Sequence, residues 1–187
     1  MNVVLMGYRG TGKTSVGRLL ADRLERPFLD SDELIKASSG KSVREMVAEK
    51  GWDFFRQEEK RVIAELSGKD GCIFALGGGV VLDEENVRNL KPKGFFVWLT
   101  AEAEKILKRL NGDGKTLEQR PSLAGKDPDE ETRFLLKARE PLYAKIADCR
   151  VDTSDLSIEE VAAEVLRILL GRAEANPGKR KRSTFVL

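Results

Sequence analysis

The first fourteen residues constrain this chain more than any other stretch. A short apolar run over residues 2–6 leads directly into residues 7–14, GYRGTGKT, which match the phosphate-binding pattern G-x-x-x-x-G-K-[ST]. Residues 15–24 follow with apolar side chains at helical spacing. The pattern requires a strand, a glycine-rich turn and a helix in this order, so the sequence predicts a P-loop. The alternative is a glycine-rich turn in which Lys13 and Thr14 occur by chance.

The residue types of this loop suit the binding of a polyphosphate. Glycine lets the backbone curl closely enough for N–H groups to surround the phosphates, and the N-terminus of the following helix adds a partial positive charge. We expect Lys13 to reach the outer phosphates and the Thr14 hydroxyl to bind Mg²⁺. The residues predicted to hold the nucleotide phosphates are Gly10, Thr11, Gly12, Lys13, Thr14 and Ser15.

Two aspartates follow the second predicted strand, residues 26–29. Asp30 and Asp32 are two positions apart, and on extended chain their side chains would point to the same side. One interpretation is a metal-and-base pair at the carboxyl end of a parallel strand, where open α/β sheets bind ligands. The alternative is a helix N-cap, with Ser31 or Asp32 capping the segment that follows.

Residues 33–68 have the pattern of helices, interrupted at 38–40 and at Gly51. So much helix between strands predicts an inserted substrate-binding lobe, over about residues 31–68. Arg56 and Glu59 are three positions apart, so they share a helix face and can pair. The ordinary interpretation of such spacing is a surface ion pair that adds little stability.

The next apolar run, residues 72–76, ends in three glycines, Gly77, Gly78 and Gly79. P-loop proteins usually carry an acidic metal-organising residue after such a strand, and its absence makes Asp30 the best-placed carboxylate. Three glycines also leave bare backbone that a small polar ligand can approach. The alternative is a plain glycine turn before the next helix.

The second half of the chain continues the alternation. It contains a strand at 95–99, a helix at 101–110 that carries Arg109 near its end, a helix from residue 128 that carries Arg139, a strand at 149–153 and a helix at 158–170. Five alternations of strand and helix predict an α/β fold, a five-stranded parallel sheet with helices on both faces.

The long glycine-punctuated loop at about 111–125, which contains Arg120, is typical of a mobile lid. A helix-end charge for Arg109 and a solvated loop arginine for Arg120 are the alternatives.

Composition limits the classes of function. A chain of 187 residues suits one domain, here 1–170, followed by a basic tail at 171–187 that we expect to be disordered. The chain has 33 Lys and Arg against 31 Asp and Glu, but five of the basic residues and one acid lie in the tail, so the predicted domain is slightly acidic and has no nucleic-acid-binding stripe. With no histidine, imidazole catalysis is excluded and acid–base work falls to carboxylates. We expect a cytoplasmic protein with no membrane association, because two isolated cysteines suit a reducing compartment and neither a signal peptide nor a membrane-spanning run is evident.

These motifs occur in one order that resembles the shikimate kinase family over about residues 1–170. The resemblance implies a P-loop fold of the nucleoside monophosphate kinase type. It implies transfer of the γ-phosphoryl group of ATP to the 3-hydroxyl of shikimate, which gives 3-phosphoshikimate for aromatic amino acid biosynthesis. It further implies Mg²⁺ as the cofactor, with ATP and shikimate as the partners of a monomer. The motifs that carry it are the P-loop, Asp30-Ser31-Asp32, Phe55-Arg56-x-x-Glu59, Gly77-Gly78-Gly79, the lid Arg120-Pro121 and Arg139-x-Pro141-Leu142-Tyr143.

The resemblance also implies roles for individual residues. Arg56, Arg139 and the three glycines would hold shikimate. Asp32 would bond its hydroxyls and accept a proton, and Glu59 would hold Arg56. Asp30 would organise Mg²⁺ through water together with Thr14, and no role is assigned to the loop after Thr153. The residues implied to act on the nucleotide are Lys13 and Arg120, which would stabilise the transferring phosphoryl group, and Arg109, which would pack against adenine.

Two other classes of function were considered. Another small-molecule kinase, acting on gluconate or a nucleoside monophosphate, would share the P-loop, but gluconate kinases carry a histidine motif that this chain lacks. A non-catalytic nucleotide-dependent switch would also share the P-loop. Such a switch predicts missing catalytic groups, whereas the acidic and basic residues named above are all present.

Overall fold

The computed structural model describes residues 1–112 and 127–175. Strands and helices alternate along the chain as the sequence predicts. The strands are β1 (Asn2–Met6), β2 (Phe28–Asp30), β3 (Ile73–Ala75), β4 (Gly94–Thr100) and β5 (Cys149–Asp152). The helices of the described ranges are α1 (Lys13–Leu24), α2 (Ser31–Ser39), α3 (Val43–Ser67), α4 (Glu84–Leu90), α5 (Ala103–Gly112), α6 (Pro128–Ile146) and α7 (Ile158–Ala175), with a 3₁₀ turn at Val80–Leu82.

The five strands form one sheet in the order β2-β3-β1-β4-β5, and all neighbouring pairs are parallel. The predicted five-stranded parallel sheet is therefore confirmed. The strand β1 lies in the middle, with β3 and β2 on one side of it and β4 and β5 on the other. The order of the strands therefore changes direction at β1, and open α/β sheets bind ligands at the carboxyl ends of the strands at such a point.

Both faces of the sheet are buried, which explains why β1 is a continuous apolar run. Val3 and Leu5 pack on the face covered by α1 and α7, whereas Val4 and Met6 pack on the opposite face. The second face carries α2, α3, α4 and α6 through residues such as Phe74. A parallel sheet covered on both faces needs apolar residues at every position, so period-two alternation is lost.

The strand register brings three polar segments to one edge of the sheet. Asp30 pairs with Ala75 across β2 and β3, and Leu5 pairs with Ala75 across β1 and β3. The P-loop, the aspartate pair and the three glycines therefore all leave the sheet at the same level.

The helical lobe is interrupted where the sequence predicts. Gly40 ends α2 with φ 68°, and Gly51 interrupts α3 with φ 80°. Ser42 and Glu45 form a reciprocal capping box at the start of α3. Two breaks with left-handed backbone explain the glycines at these positions.

Some predicted boundaries are wrong. The closing helix runs to Ala175 and does not end at residue 170, because Gly171 lies in open space within the helix and the Arg, Ala and Glu residue types after it favour helix. The predicted lid at 111–125 overlaps α5 by two residues, since α5 continues to Gly112. The rest of the predicted lid, with Arg120, and residues 176–187 of the predicted disordered tail lie outside the described residues.

In the described ranges, no helix combines the length and apolarity needed to cross a bilayer.

Candidate active site

The P-loop connects β1 to α1 and has the backbone geometry that its glycines predict. Gly10 and Gly12 have φ angles of 79° and 88°, in the left-handed region that favours glycine. At Gly7 a Cβ atom would lie 2.2 Å from the carbonyl oxygen of Leu99, so a larger residue cannot fit. The Lys13 ammonium donates a hydrogen bond to the carbonyl oxygen of Tyr8 (2.8 Å), within the loop itself.

Thr14 and Asp30 are in direct contact beside the P-loop. The Thr14 hydroxyl donates to Asp30 Oδ2 at 2.8 Å, and the Asp30 side chain is nearly buried. The other oxygen of Asp30 accepts from the backbone N–H groups of Asp32 (2.9 Å) and Glu33 (3.4 Å), which caps α2. The predicted extended chain through Asp30 and Asp32 is wrong, because α2 begins at Ser31. Asp30 is therefore the cap and Asp32 lies in the first helical turn.

The P-loop opens into a cavity of about 740 Å³. It is lined by all six residues predicted to hold phosphates, and also by Asp30 and Asp32. Arg109 borders it too, and donates hydrogen bonds to the carbonyl oxygen of Gly10 (3.2 Å) and the hydroxyl of Thr153 (3.0 Å). Arg109 thereby ties the P-loop to the loop after β5.

Two apolar residues, one in that loop and one at the start of α7, line the same cavity. Leu156 and Ile158 are 39% and 43% exposed, although both are large and hydrophobic. The sequence analysis assigned neither of them a role. The available signal was an apolar residue on each side of Ser157, directly after the carboxyl end of a strand.

A second, smaller cavity lies beside the first one, toward α3. The predicted acceptor residues converge there, and aromatic side chains form part of its wall. Its lining consists of Tyr8, Arg9, Asp32, Val43, Trp52, Phe55, Arg56, Glu59, Gly77, Gly78, Gly79 and Arg139. The structure therefore brings together every residue that the sequence predicted for substrate binding.

Arg56 and Glu59 form the predicted pair, but it is not a surface pair. Arg56 donates to Glu59 Oε2 at 2.7 Å, and the Glu59 side chain is only 2% exposed. Burial raises the pKa of the Glu59 carboxyl above its usual value, and the Arg56 charge opposes that shift. A Cβ atom at Gly79 would lie 2.4 Å from the Arg56 guanidinium, so glycine leaves the space that the arginine fills.

Gly77 and Gly78 are fixed by three side chains from two helices, α2 and α6. The Gly77 N–H donates to the buried Ser31 hydroxyl at 2.8 Å. The carbonyl oxygen of Gly78 accepts from Arg139 (3.2 Å) and from the Tyr143 hydroxyl (2.7 Å). Burial raises the pKa of Tyr143 to about 12, so this hydroxyl is a stable donor. Sequence reasoning placed Tyr143 in a motif without giving it a contact, and it considered Ser31 as a helix cap and not as a partner of Gly77.

Two residues line both cavities, Arg9 and Asp32. Asp32 was predicted to act on the acceptor. It lies between the two cavities, where a group transferred from one cavity to the other would pass. Arg9 was missed, although a charged residue at a variable position of the P-loop was a visible signal.

Comparisons with known proteins agree on one family. The family model for shikimate kinase matches residues 9–170. A shikimate kinase of Syntrophus aciditrophicus is 48% identical over 89% of this chain and 89% of its own length. Another, of Symbiobacterium thermophilum, is 44% identical over 93% of this chain and 99% of its own length.

A solved structure gives the same result. The structure of shikimate kinase from Acinetobacter baumannii in complex with shikimate superposes with a TM-score of 0.85, at 34% identity, over 91% of this chain and 93% of that one. The resemblance inferred from the motifs is therefore confirmed by the family match, by the curated relatives and by the fold. This chain belongs to the shikimate kinase family.

Proposed function

We propose that this chain transfers the γ-phosphoryl group of ATP to the 3-hydroxyl of shikimate, giving ADP and 3-phosphoshikimate. The observation that carries the proposal is the position of Asp32, which borders both the P-loop cavity and the arginine-lined cavity. A phosphoryl donor and an acceptor hydroxyl bound in the two cavities would meet at this carboxylate. Membership in the shikimate kinase family supports the choice of acceptor.

The larger cavity suits ATP. Its loop offers backbone N–H groups and the N-terminus of α1, together with the Lys13 ammonium, to a polyphosphate. The hydrogen bond from Lys13 to Tyr8 would be exchanged for one to the outer phosphates. Arg109, with Leu156 and Ile158, would border the base, since these residues line the same cavity outside the P-loop.

The smaller cavity suits a small anionic polyol. Arg56 and Arg139 bring two guanidinium groups to it, and guanidinium binds a carboxylate through two parallel hydrogen bonds. The glycines at 77–79 would leave backbone groups near the acceptor's hydroxyls, and Glu59 would keep Arg56 in place. The choice of shikimate over another small anion rests on membership in the family.

The reaction requires little covalent chemistry from the protein. The acceptor oxygen attacks the γ-phosphorus, the bond from that phosphorus to the β–γ bridging oxygen breaks, and the hydroxyl proton is lost. We propose that Asp32 orients the hydroxyl and accepts its proton, while Lys13 and Arg120 offset charge on the moving group. Arg120 lies outside the described residues, so its role rests on the resemblance alone.

Mg²⁺ is the proposed cofactor. In the described ranges, no cluster of three or more acidic, cysteine or histidine residues could hold a metal alone. Magnesium in kinases binds through one or two protein ligands together with substrate phosphates, so the hydroxyl of Thr14 and the carboxylate of Asp30, 2.8 Å apart beside the P-loop, are a fitting donor set. When bound, the ion would offset negative charge on the phosphates.

We propose ATP and shikimate as the partners, one for each cavity, and the monomeric state stays a prediction. The absence of nucleic-acid and membrane partners and the cytoplasmic location stay predictions.

A coupled assay of ADP release tests the proposal. The purified chain, ATP and Mg²⁺ are mixed with shikimate, gluconate or AMP, and we expect ADP to form with shikimate alone. Turnover of gluconate or AMP in its place would identify a different small-molecule kinase. Binding of ATP without ADP release from any acceptor would identify the non-catalytic switch.

A further inference from the structure

Arg9 lies at the boundary between the two cavities. It is the third residue of the P-loop, at a position that the phosphate-binding pattern leaves free. Arg9 is among the residues that line the nucleotide cavity and also among those that line the acceptor cavity, as is Asp32. By contrast, Arg56 and Arg139 line the acceptor cavity only. An arginine and an aspartate thus border the zone where the phosphoryl group would pass.

The guanidinium of Arg9 is held there by two neighbours. It lies over the ring of Tyr8, 5.5 Å from the ring centroid. One terminal nitrogen is 3.7 Å from Glu131 Oε1, which is close enough for charge attraction but too long for a hydrogen bond. The Arg9 side chain is 17% exposed and that of Glu131 is 1% exposed, so water screens this attraction little.

The hydrogen-bonding capacity of this guanidinium is not used up. Its Nε atom is buried and has no hydrogen-bond partner among the residues that the structure describes. A buried donor without a partner is costly, and it is compensated when an acceptor arrives. Phosphoryl oxygens are strong acceptors, and the planar fork of arginine matches their geometry.

We propose that Arg9 is a further catalytic residue, whose guanidinium contacts the phosphoryl group during its transfer between the cavities. Glu131 is a positioning residue that holds Arg9 at the boundary through its charge. The inference rests on the proposed function. A role in holding the shikimate carboxylate is less consistent with the geometry, because that role does not require Arg9 to border the nucleotide cavity.

The test compares Arg9→Ala and Arg9→Lys with the wild type in steady-state kinetics. We expect Arg9→Ala to lower kcat by about 100-fold or more, as loss of an arginine at a transferring phosphoryl group does, with both KM values within about threefold of wild type. Arg9→Lys keeps the positive charge but lacks the planar guanidinium with its parallel N–H groups. Its kcat should therefore lie between those of Arg9→Ala and the wild type. The matched control is Arg18→Ala, because Arg18 pairs with Glu33 on the exposed surface and should leave kcat unchanged.

Calorimetry separates a transition-state contact from simple nucleotide binding. ADP is titrated into the protein in the presence of Mg²⁺ and shikimate, with and without aluminium fluoride. Aluminium fluoride mimics the phosphoryl group in the transition state of its transfer. Arg9→Ala should reduce the gain in affinity that fluoride brings, and should change the affinity for ADP alone by less than about threefold. Equal losses in the two titrations would overturn the proposal.

A double-mutant cycle tests Glu131. Glu131→Gln should lower kcat about tenfold when Arg9 is present and have no further effect on kcat in Arg9→Ala, since it acts through Arg9. Additive losses would refute the positioning role. Thermal unfolding checks that each variant is folded. If Arg9→Ala is not folded, kcat and KM are measured for Arg9→Lys and Arg9→Gln in its place and compared with the same expected changes.

Each outcome bears on one claim. If the wild type does not phosphorylate shikimate, the proposed function fails before the variants are considered. If the wild type does and Arg9→Ala keeps kcat within about threefold, the inference about Arg9 fails alone. A rise in the KM for shikimate at constant kcat would also overturn it, because Arg9 would then hold only the acceptor.

Discussion

The carboxylate of Asp32 occupies the space that a side chain at Gly77 would need. A Cβ atom at residue 77 would lie 2.5 Å from Asp32 Oδ1. The backbone at Gly77 has no left-handed φ angle, so glycine is required there for space and not for conformation. The first of the three glycines and the aspartate of α2 are therefore one steric unit, although 45 positions separate them in the sequence.

Gly77→Ala should remove activity with little loss of stability. The new methyl group would force the Asp32 carboxylate to rotate, which costs less than overpacking against backbone but takes the carboxylate away from the acceptor. We expect kcat to fall at least about tenfold, and the free energy of unfolding to fall by less than about 1 kcal/mol. Gly171→Ala is the control, because nothing lies within 4 Å of that position, and it should keep kcat. Wild-type kcat in Gly77→Ala would contradict the prediction.

Asp32→Asn should lower kcat by about 10² to 10⁴-fold, the range typical for loss of a general base. Asparagine keeps the size of the side chain and can still donate or accept a hydrogen bond, so the affinity for ATP measured by calorimetry should change little. A kcat near that of the wild type would show that Asp32 is not the base.

Tyr143→Phe should weaken the acceptor site. The hydroxyl donates to the carbonyl oxygen of Gly78 (2.7 Å), beside Arg139, and the ring stacks on Trp98. Phenylalanine keeps the stack and loses the hydrogen bond, so we expect a loss of about 1 kcal/mol in unfolding free energy and a severalfold rise in the KM for shikimate. Because the pKa of Tyr143 is about 12, the effect should be the same at every assay pH below about 10.

Tyr8→Phe is a matched comparison for stability. The Tyr8 hydroxyl is also buried but has no hydrogen-bond partner within residues 1–112 and 127–175, so its removal should leave the unfolding free energy unchanged or raise it. Denaturant unfolding of the two variants checks both expectations. Equal destabilisation by both would mean that the bond to Gly78 is not what Tyr143 contributes.

Glu59→Gln should change how stability depends on pH. Burial raises the pKa of Glu59 in the folded protein, so the folded state binds a proton more readily than the unfolded state does. The contribution of Glu59 to unfolding free energy is then largest below its unfolded pKa and declines as the pH rises through the folded pKa. Between pH 8 and about 5, the melting temperature of the wild type should rise relative to that of the variant as the pH falls. The opposite trend would mean that the Arg56 charge outweighs burial.

The fold could be predicted from the sequence because its signals are local. Each signal reflects the conformation of the backbone at its own position. Examples are the P-loop glycines, the apolar run of β3 and the breaks at Gly40 and Gly51. The end of α7 was predicted wrongly, because the helix-forming residues after Gly171 outweigh one glycine.

The site could be predicted only where a known motif named the residues. The burial of Glu59, the contact of Tyr143 with Gly78 and the position of Arg9 between the cavities are long-range facts. They depend on how α3, α6 and the P-loop meet, and no local pattern contains that information. The cap of α2 was also misjudged, because Ser31 or Asp32 was the predicted cap and the structure has Asp30 there.

Asp30→Asn tests the metal role of Asp30 apart from its structural role. Asp30 caps α2 through one oxygen and contacts Thr14 through the other, and asparagine is as good an N-cap as aspartate. The unfolding free energy should therefore change by less than about 0.5 kcal/mol. Loss of the carboxylate charge should raise the Mg²⁺ concentration for half-maximal activity at least about tenfold, as loss of a ligand-shell residue typically does. Activity removed by a chelator should return with Mg²⁺ in both proteins, but at a higher concentration in the variant. An unchanged Mg²⁺ requirement would leave Asp30 as a cap alone and remove it from the metal site.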